Sequence, residues 1–297
     1  MFFLPPPTEP AVVSVYLAFA MMLGACVGSF LNVCVYRIPL ELSVVKPRSH
    51  CPACKALIPM WCNIPLASWL LLRGKCRACG VKISIQYFMV EALTAMLFGL
   101  VFLQWNALPP FLGLMQKDLV LLPVYMAFAA SLVCASFIDL EHYILPDRIT
   151  IGGTVASLLL SPLLPQLHNT PVWHEALLRS AIGAGVGFGI LYAVAVLGTL
   201  IFRKEAMGFG DVKLMAFFGA MFGWRAVLFV IFFASLVGSV AGVGVIIARW
   251  RSDKGTAIPF GPHLCVAALA WLFWGPLMWE WFWEVFAPWM WTTFNLR

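Results

Sequence analysis

Charge is what this sequence has least of. Only 11% of its 297 residues are Asp, Glu, Lys or Arg, while 62% are hydrophobic, against about 25% charged in an ordinary soluble domain. The mean hydropathy is +0.93. So few ions cannot cover a water-facing globular surface, which excludes a soluble domain. The chain also lacks a basic stretch ahead of its first apolar run, and no small-residue cleavage site stands out after it. That argues against a removable signal peptide and for a retained span from Ala11 to Val35. There is no internal repeat, no low-complexity tract and no Gly-rich dinucleotide fingerprint following a strand. The segment between Tyr36 and Phe88 is nearly free of acid, with Glu41 alone.

What is present is a series of apolar stretches, and a spanning helix needs roughly 20 such residues. The expected spans are 11–35, 89–105, 119–138, 149–165, 180–202, 212–223, 226–248 and 257–274. The fold class is therefore an all-α polytopic membrane protein of about eight transmembrane helices. Arg37, Lys46, Arg48, Lys55, Arg73, Lys75, Arg77 and Lys82 crowd the first long loop. Basic loops stay cytoplasmic, which puts the N-terminus outside and this loop inside. Arg203-Lys204, Lys213 and the Arg249–Lys254 cluster should lie on the same side. The run from Val212 to Ile247 has basic flanks at both ends, so it must leave and return, and Gly223-Trp224-Arg225 is its outer turn. Its first half is then only about 12 residues, or about 18 Å, short of the roughly 30 Å hydrocarbon core. The Trp-rich tail from Met278 to Phe294 reads as an outer-face interfacial helix.

Cysteine spacing supplies the first chemical signal. Cys51-Pro52-Ala53-Cys54 and Cys76-Arg77-Ala78-Cys79 are two Cys-x-x-Cys knuckles at the spacing of a four-thiolate zinc site. Lys55, Lys75 and Arg77 would offset the charge of the thiolates. Using all four sulfurs makes the site closed and structural, and metal supplies folding energy that a segment of this size cannot draw from a core. Two disulfides are the alternative, disfavoured in a reducing cytoplasm. Cys26, Cys34, Cys62, Cys134 and Cys265 are expected to pack as small apolar residues.

The second signal is a pair of acids at membrane edges, where ionisable groups mark function. Asp139 ends an inward-going run, and Asp211 opens an outward-going one in Gly208-Phe209-Gly210-Asp211-Val212-Lys213. Two neighbouring carboxylates that share a proton can drive water onto a peptide bond. Gly208 and Gly210 allow a sharp turn and close approach of a substrate. Asp211 at a helix start favours the anion, which suggests Asp211 as base and Asp139 as acid. Lys213 is expected to bias that charge or to contact lipid phosphate. Asp147 precedes the next span, where a capping or positioning role and a pairing with Arg148 are expected. Glu91 is expected to cap its span, to partner a loop cation, or to contact a methyl donor or substrate amine.

Several blocks then line up in order. They are Gly28-Ser29-Phe30-Leu31-Asn32 through Arg37-Ile38-Pro39, the two knuckles flanking Asn63-Ile64-Pro65 to Gly74, and Ile83-Ser84 through Val90-Glu91. Ile138-Asp139 to Leu145-Pro146-Asp147, Gly208–Lys213 and Ile258-Pro259-Phe260-Gly261-Pro262 follow. In these the chain resembles the bacterial type IV prepilin peptidases, bifunctional leader peptidases and N-methyltransferases of the GxGD aspartyl protease type that serve pilus and type II secretion systems. It departs from that pattern at Cys62, where the family has an acid before Asn-Ile-Pro. It departs again at Gln86-Tyr87-Phe88, where the family has Arg-Tyr-Pro. Both departures fall in the region tied to methyl transfer and substrate handling.

The resemblance implies catalysis by Asp139 and Asp211, with Gly208, Gly210, Lys213 and Asp147 in support. It implies structural zinc on Cys51, Cys54, Cys76 and Cys79, and S-adenosylmethionine as methyl donor, with Glu91 a candidate near it. The implied substrates are prepilins or pseudopilins with a short basic leader, cut at the cytoplasmic face of the bacterial inner membrane. The expected division is an outer N-terminus and first span (1–35), a cytoplasmic zinc-binding module (36–88), a transmembrane protease core (89–275) and an interfacial tail (276–297). A proton-coupled transporter using the two aspartates would place its acids deep in spans and show repeats. A non-catalytic assembly factor docking through the zinc module would tolerate loss of either aspartate.

Overall fold

The structure, a computed structural model, describes residues 9–51, 53–106, 119–204, 207–248 and 259–286. The Arg249–Lys254 cluster, Ile258 and the tail from residue 287 lie outside the described residues. The helices are α1 (Pro10–Arg37), the five-residue α2 (Ala67–Leu71), α3 (Ile85–Asn106), α4 (Leu121–His142), α5 (Asp147–Leu163), α6 (Trp173–Phe202), α7 (Phe209–Phe222), α8 (Trp224–Ala248) and α9 (Gly261–Trp281). Apart from α2, a helix stands at each of the eight expected spans. Six of them (α1, α3, α4, α6, α8 and the stretch from Gly261 to Val285) are long and apolar enough to cross a membrane. Among the described residues the only extended pairings are two isolated bridges in the loop between α1 and α3.

The turn between α7 and α8 falls where it was expected, at Gly223, whose φ of +82° ends α7. The last helix differs from the expectation. It runs on past Trp274 to Trp281 and closes in a π turn over Phe282–Phe286. Pro276 removes one backbone bond, but no turn-forming residue follows it to end the helix.

The helices form two compact units that divide between Ile144 and Leu145. The first holds α1 to α4, with α1 packed on α3 and α4. Its closest seam runs through Gly24 and Gly28. A methyl group on Gly24 would meet the Thr94 carbonyl oxygen at 2.7 Å, and one on Gly28 the Glu91 Cα at 2.7 Å. Small residues four apart let helix backbones touch, which is how spans associate where lipid offers no hydrophobic gain.

The second unit holds α5 to α9 and is arranged around α7. That helix has 14 residues, about 21 Å at 1.5 Å per residue. It contacts α5, α6, α8 and α9, and nearly everything from Asp211 to Met221 is buried. Its neighbours present small or hydroxyl side chains to it. Ser180 on α6 donates to the Ala220 carbonyl at 2.7 Å, and Ser157 on α5 reaches the Met221 sulfur at 3.8 Å. Gly183 on α6 and Gly219 on α7 meet backbone to backbone, so that a Cβ on either would land on the carbonyl oxygen of the other. Gly187 meets the Met215 carbonyl in the same way. By contrast, Gly185 and Gly189 of the same helix have nothing within 4 Å of a built Cβ.

This contrast gives a paired expectation. Gly183→Val should lower the stability of the purified protein by about 1–3 kcal/mol, the usual penalty of overpacking. Gly185→Val should stay within about 0.5 kcal/mol of the parent. Thermal unfolding of both variants in the same detergent tests this, and equal midpoints would rule out the close α6–α7 seam.

Candidate active site and metal centre

The two cysteine knuckles share one backbone geometry. In the first, the Cys51 N–H donates to Ala56 O (3.0 Å) and the Lys55 N–H to Cys51 O (2.9 Å). In the second, the Cys76 N–H donates to Val81 O (2.8 Å) and the Gly80 N–H to Cys76 O (2.9 Å). The bridges His50–Leu57 and Lys75–Lys82 close them at equivalent positions. Both turns need a left-handed residue at the same place. Gly80 supplies it without strain at φ +71°, while Lys55 adopts +58°, a conformation unfavourable for a side chain bearing a Cβ.

The result gathers four sulfurs within 4.8 Å of one another. Cys51 Sγ and Cys79 Sγ are 3.9 Å apart. That is far from the roughly 2.05 Å of a disulfide and close to the edge of about 3.8 Å that a tetrahedron with metal–sulfur bonds of about 2.3 Å requires. The electrostatics also ask for a cation. The Cys54 backbone N–H holds the Cys51 thiol down at about 6. The Val81 N–H pulls Cys79 down, but lost hydration and the neighbouring sulfurs outweigh it and push Cys79 up to about 11. Four thiolates this close cannot all ionise without a positive charge among them, so the donor set fits a thiophilic dication. Of the remaining cysteines, Cys34, Cys134 and Cys265 are buried as expected, Cys62 is half-buried and Cys26 is exposed.

The module is tied to the first unit by polar groups of α1 and α3. Glu91, buried in α3, accepts a hydrogen bond of 2.7 Å from the Leu66 N–H, and the Ser29 hydroxyl of α1 bonds the same carboxylate. Glu91 thus partners a backbone amide rather than a loop cation. The bond holds Leu66 at φ +61°. Asn32 donates to the Tyr87 carbonyl at 3.0 Å. Arg37 donates to the carbonyls of Ser43 (2.9 Å) and Pro47 (2.8 Å). The roles of Ser29, Asn32 and Arg37 were not read from the sequence. Their signal was a polar residue inside or closing an apolar run, which marks a specific partner.

Asp139 belongs to the first unit. It is buried at 6% exposure in the last turn of α4, and its carbonyl accepts the Tyr143 N–H at 2.9 Å, where Tyr143 ends the helix at φ +56°. Glu141 and His142 beside it are partly exposed and 3.7 Å apart.

Asp211 belongs to the second unit. It is buried at 7% exposure in the first turn of α7. Gly208, not Asp211, takes the N-cap position, and a Cβ there would lie 3.5 Å from Asp211 Oδ2. Gly210 lies against Leu145, whose Cβ would be 2.9 Å from a side chain at 210.

Asp147 and Lys213 of this unit form an ion pair of 2.6 Å, and the Lys213 ammonium also stands 5.0 Å from the centre of the Phe209 ring. Asp147 therefore neither caps α5 nor pairs with Arg148, as the sequence suggested. Its carboxylate is taken up by Lys213. The Leu145–Gly210 contact and the Asp147–Lys213 pair fasten the start of α5 to the start of α7 on both sides of Asp211.

Comparison with known proteins adds to this geometry. Residues 22–105 match the bacterial peptidase A24 N-terminal domain, and residues 126–243 match the type IV leader peptidase family. A protein of Myxococcus xanthus strain DK1622 named prepilin leader peptidase/N-methyltransferase is 40% identical over 241 residues, covering 81% of this chain and 66% of its own length. Proteins of the same name from Aeromonas salmonicida strain A449 and Neisseria gonorrhoeae are 34% and 35% identical. They cover 90% and 84% of this chain and 94% and 87% of their own lengths. No solved structure matches.

Elemental analysis of the purified chain should find about one metal ion per molecule, held by the four sulfurs. Cys76→Ser should reduce that to near zero; full metal content in that variant would show that the cluster is not the binding site.

Proposed function

The chain belongs to the type IV leader peptidase family, and from that membership we propose that it removes the short basic leader of prepilins or pseudopilins and then N-methylates the new N-terminal residue. The observation that carries the reading is the Gly208–Lys213 stretch, with Asp211 buried in the first turn of α7, inside the segment that matches the family. The transporter and assembly-factor alternatives explain neither that match nor the buried aspartate at the end of each of two helices.

The proposed catalytic pair is Asp139 and Asp211. The ionised partner takes a proton from water, the water oxygen bonds to the scissile carbonyl carbon, and the protonated partner donates to the carbonyl oxygen. Collapse of that intermediate breaks the C–N bond: the leaving nitrogen takes the proton that the base drew from water, and a hydroxyl of the intermediate returns a proton to the acid. Asp211 is the candidate base, because the positive end of the α7 dipole favours an anion there. Asp139 is the candidate acid, because the carbonyls at the α4 end disfavour one. Lys213, held by Asp147, keeps the Gly208–Gly210 turn in place, and Gly208 and Gly210 leave room for the substrate backbone.

Zinc is the proposed ion on Cys51, Cys54, Cys76 and Cys79, where it holds the module together and takes no part in the reaction. S-adenosylmethionine is the proposed methyl donor. When bound it would supply an electrophilic sulfonium methyl to the new amine, which would give up a proton while the thioether S-adenosylhomocysteine leaves. The Leu66–Glu91 bond makes Glu91 a holder of this loop, and its proposed contact to the donor would use the carboxylate's remaining acceptor positions. The proposed orientation follows the basic loops, with the N-terminus outside and the module and both aspartates at the cytoplasmic face of the inner membrane. In this reading residues 36–88 serve as the metal module and 89–275 as the protease core.

Cleavage of a purified prepilin separates the roles. Asp139→Asn and Asp211→Asn should each lower the rate by at least about a hundredfold, the usual contribution of a general acid or base. Asp147→Asn should stay within about tenfold of the parent, since its partly exposed ion pair is worth only about 1 kcal/mol. All variants should retain metal. Full cleavage by Asp139→Asn with loss in Asp147→Asn would exchange their roles, and cleavage by all three would refute the aspartyl mechanism.

A further inference from the structure

The segment from Leu57 to Leu71 carries large apolar side chains that nothing in its own unit covers. Leu71 is 83% exposed and Trp61 66%, with Leu57, Ile64 and Leu70 more than half exposed. In a water-facing loop this is a costly surface, and contiguous exposed apolar patches mark an interface with protein or membrane.

The tethers of this loop fix its depth. The Leu66 N–H bonds Glu91 at 2.7 Å, and Glu91 is six residues into α3, about 9 Å along its axis. The same carboxylate meets Ser29, eight residues before the end of α1, or about 12 Å inside that helix. Next to Leu66, the Trp69 ring lies 5.3 Å from Phe88 of α3, and Gly74 folds back onto Trp69, where a Cβ would come within 2.9 Å. The helix α3 has 22 residues, about 33 Å, which barely exceeds a hydrocarbon core of about 30 Å. A point 9 Å inside it cannot stand out in water. The loop around Leu66 is therefore held at the level where acyl chains meet headgroups.

The charge around the loop fits the same surroundings. Arg73 and Lys75 follow it directly, Lys55 precedes it, and Arg77 reaches the Cys62 sulfur at 3.8 Å. Trp at the interface, leucines below it and cations beside it form the pattern of a segment that lies in a membrane surface. We propose that residues 57–72 form a membrane-surface anchor, with Trp61, Ile64, Leu70 and Leu71 among the acyl chains and Arg73 and Lys75 on the phosphates of acidic phospholipids. The metal module is thereby held flat on the leaflet instead of projecting from it. The inference needs neither the proposed chemistry nor the proposed orientation, since the tethers fix the depth relative to α3 whichever side the module occupies.

The test uses the full chain in nanodiscs that contain phosphatidylglycerol, with the photoreactive residue p-benzoylphenylalanine placed at 61, at 71, or at exposed Ala53 in the first knuckle. Metal content checks that each variant is folded. Illumination should attach phospholipid at 61 and 71, read by mass, several-fold more than at 53. Adducts no more frequent than at 53, or cross-links to a second copy or an added prepilin in their place, would overturn the anchor. Exchanging phosphatidylglycerol for phosphatidylcholine should lower the yield at 71, and an unchanged yield would remove the role given to the cations. A measurement that needs no unnatural residue is the Trp61 emission, taken as the difference between the parent and Trp61→Phe in vesicles with brominated acyl chains. Strong quenching supports the anchor; unquenched emission of a water-exposed indole refutes it.

Discussion

A helix of 14 residues cannot cross a bilayer, and the second unit is built around that shortfall. α7 is about 21 Å long against a hydrocarbon core of about 30 Å and is not among the six helices long and apolar enough to cross, so within a bilayer it cannot reach both surfaces. A helix end carries unmet N–H or C=O groups, and in hydrocarbon those are prohibitive unless protein surrounds them. The surrounding of α7 by α5, α6, α8 and α9 is the answer to that constraint. It is also what buries Asp211 in the first turn of α7.

The grip on α7 is made of small groups. Ser180, Gly183 and Gly187 of α6 and Gly153 and Ser157 of α5 face it, which lets backbone touch backbone and allows hydroxyls to reach its carbonyls and thioether. Bulkier side chains would hold the helices apart, and the Asp147–Lys213 and Leu145–Gly210 contacts at the start of α7 depend on that same closeness. The first unit uses the same device, with Gly24 and Gly28 bringing α1 against α3 near the Glu91 carboxylate. In both units a glycine seam within a span lies next to a buried acid.

Much of this was legible in the sequence because its signals were local. Apolar runs gave the helices, knuckle spacing gave the sulfur cluster, and the basic flanks of one long run pointed to a short α7 turning at Gly223. What escaped were partnerships made across the chain. Nothing near Asp147 announces Lys213, 66 residues away, and the nearer Arg148 was the obvious but wrong partner. That Glu91 accepts from a backbone amide depends on Leu66 adopting a strained conformation no pattern signals. The continuation of α9 past Trp274 was missed because tryptophans suggest an interface, and a helix can run through an interface without ending there.

The meeting of Gly183 and Gly219 has a consequence for how such a chain can change over generations. Each lacks a side chain because the other occupies the space, so neither can acquire even a methyl group while its partner stays where it is, and changing both only doubles the conflict. No sequence of single, tolerated steps leads away from the pair. Gly185 and Gly189, one helix face away, are free to drift. The two halves of one short stretch of α6 are thus held to quite different standards of inheritance, one frozen by contact and the other left open.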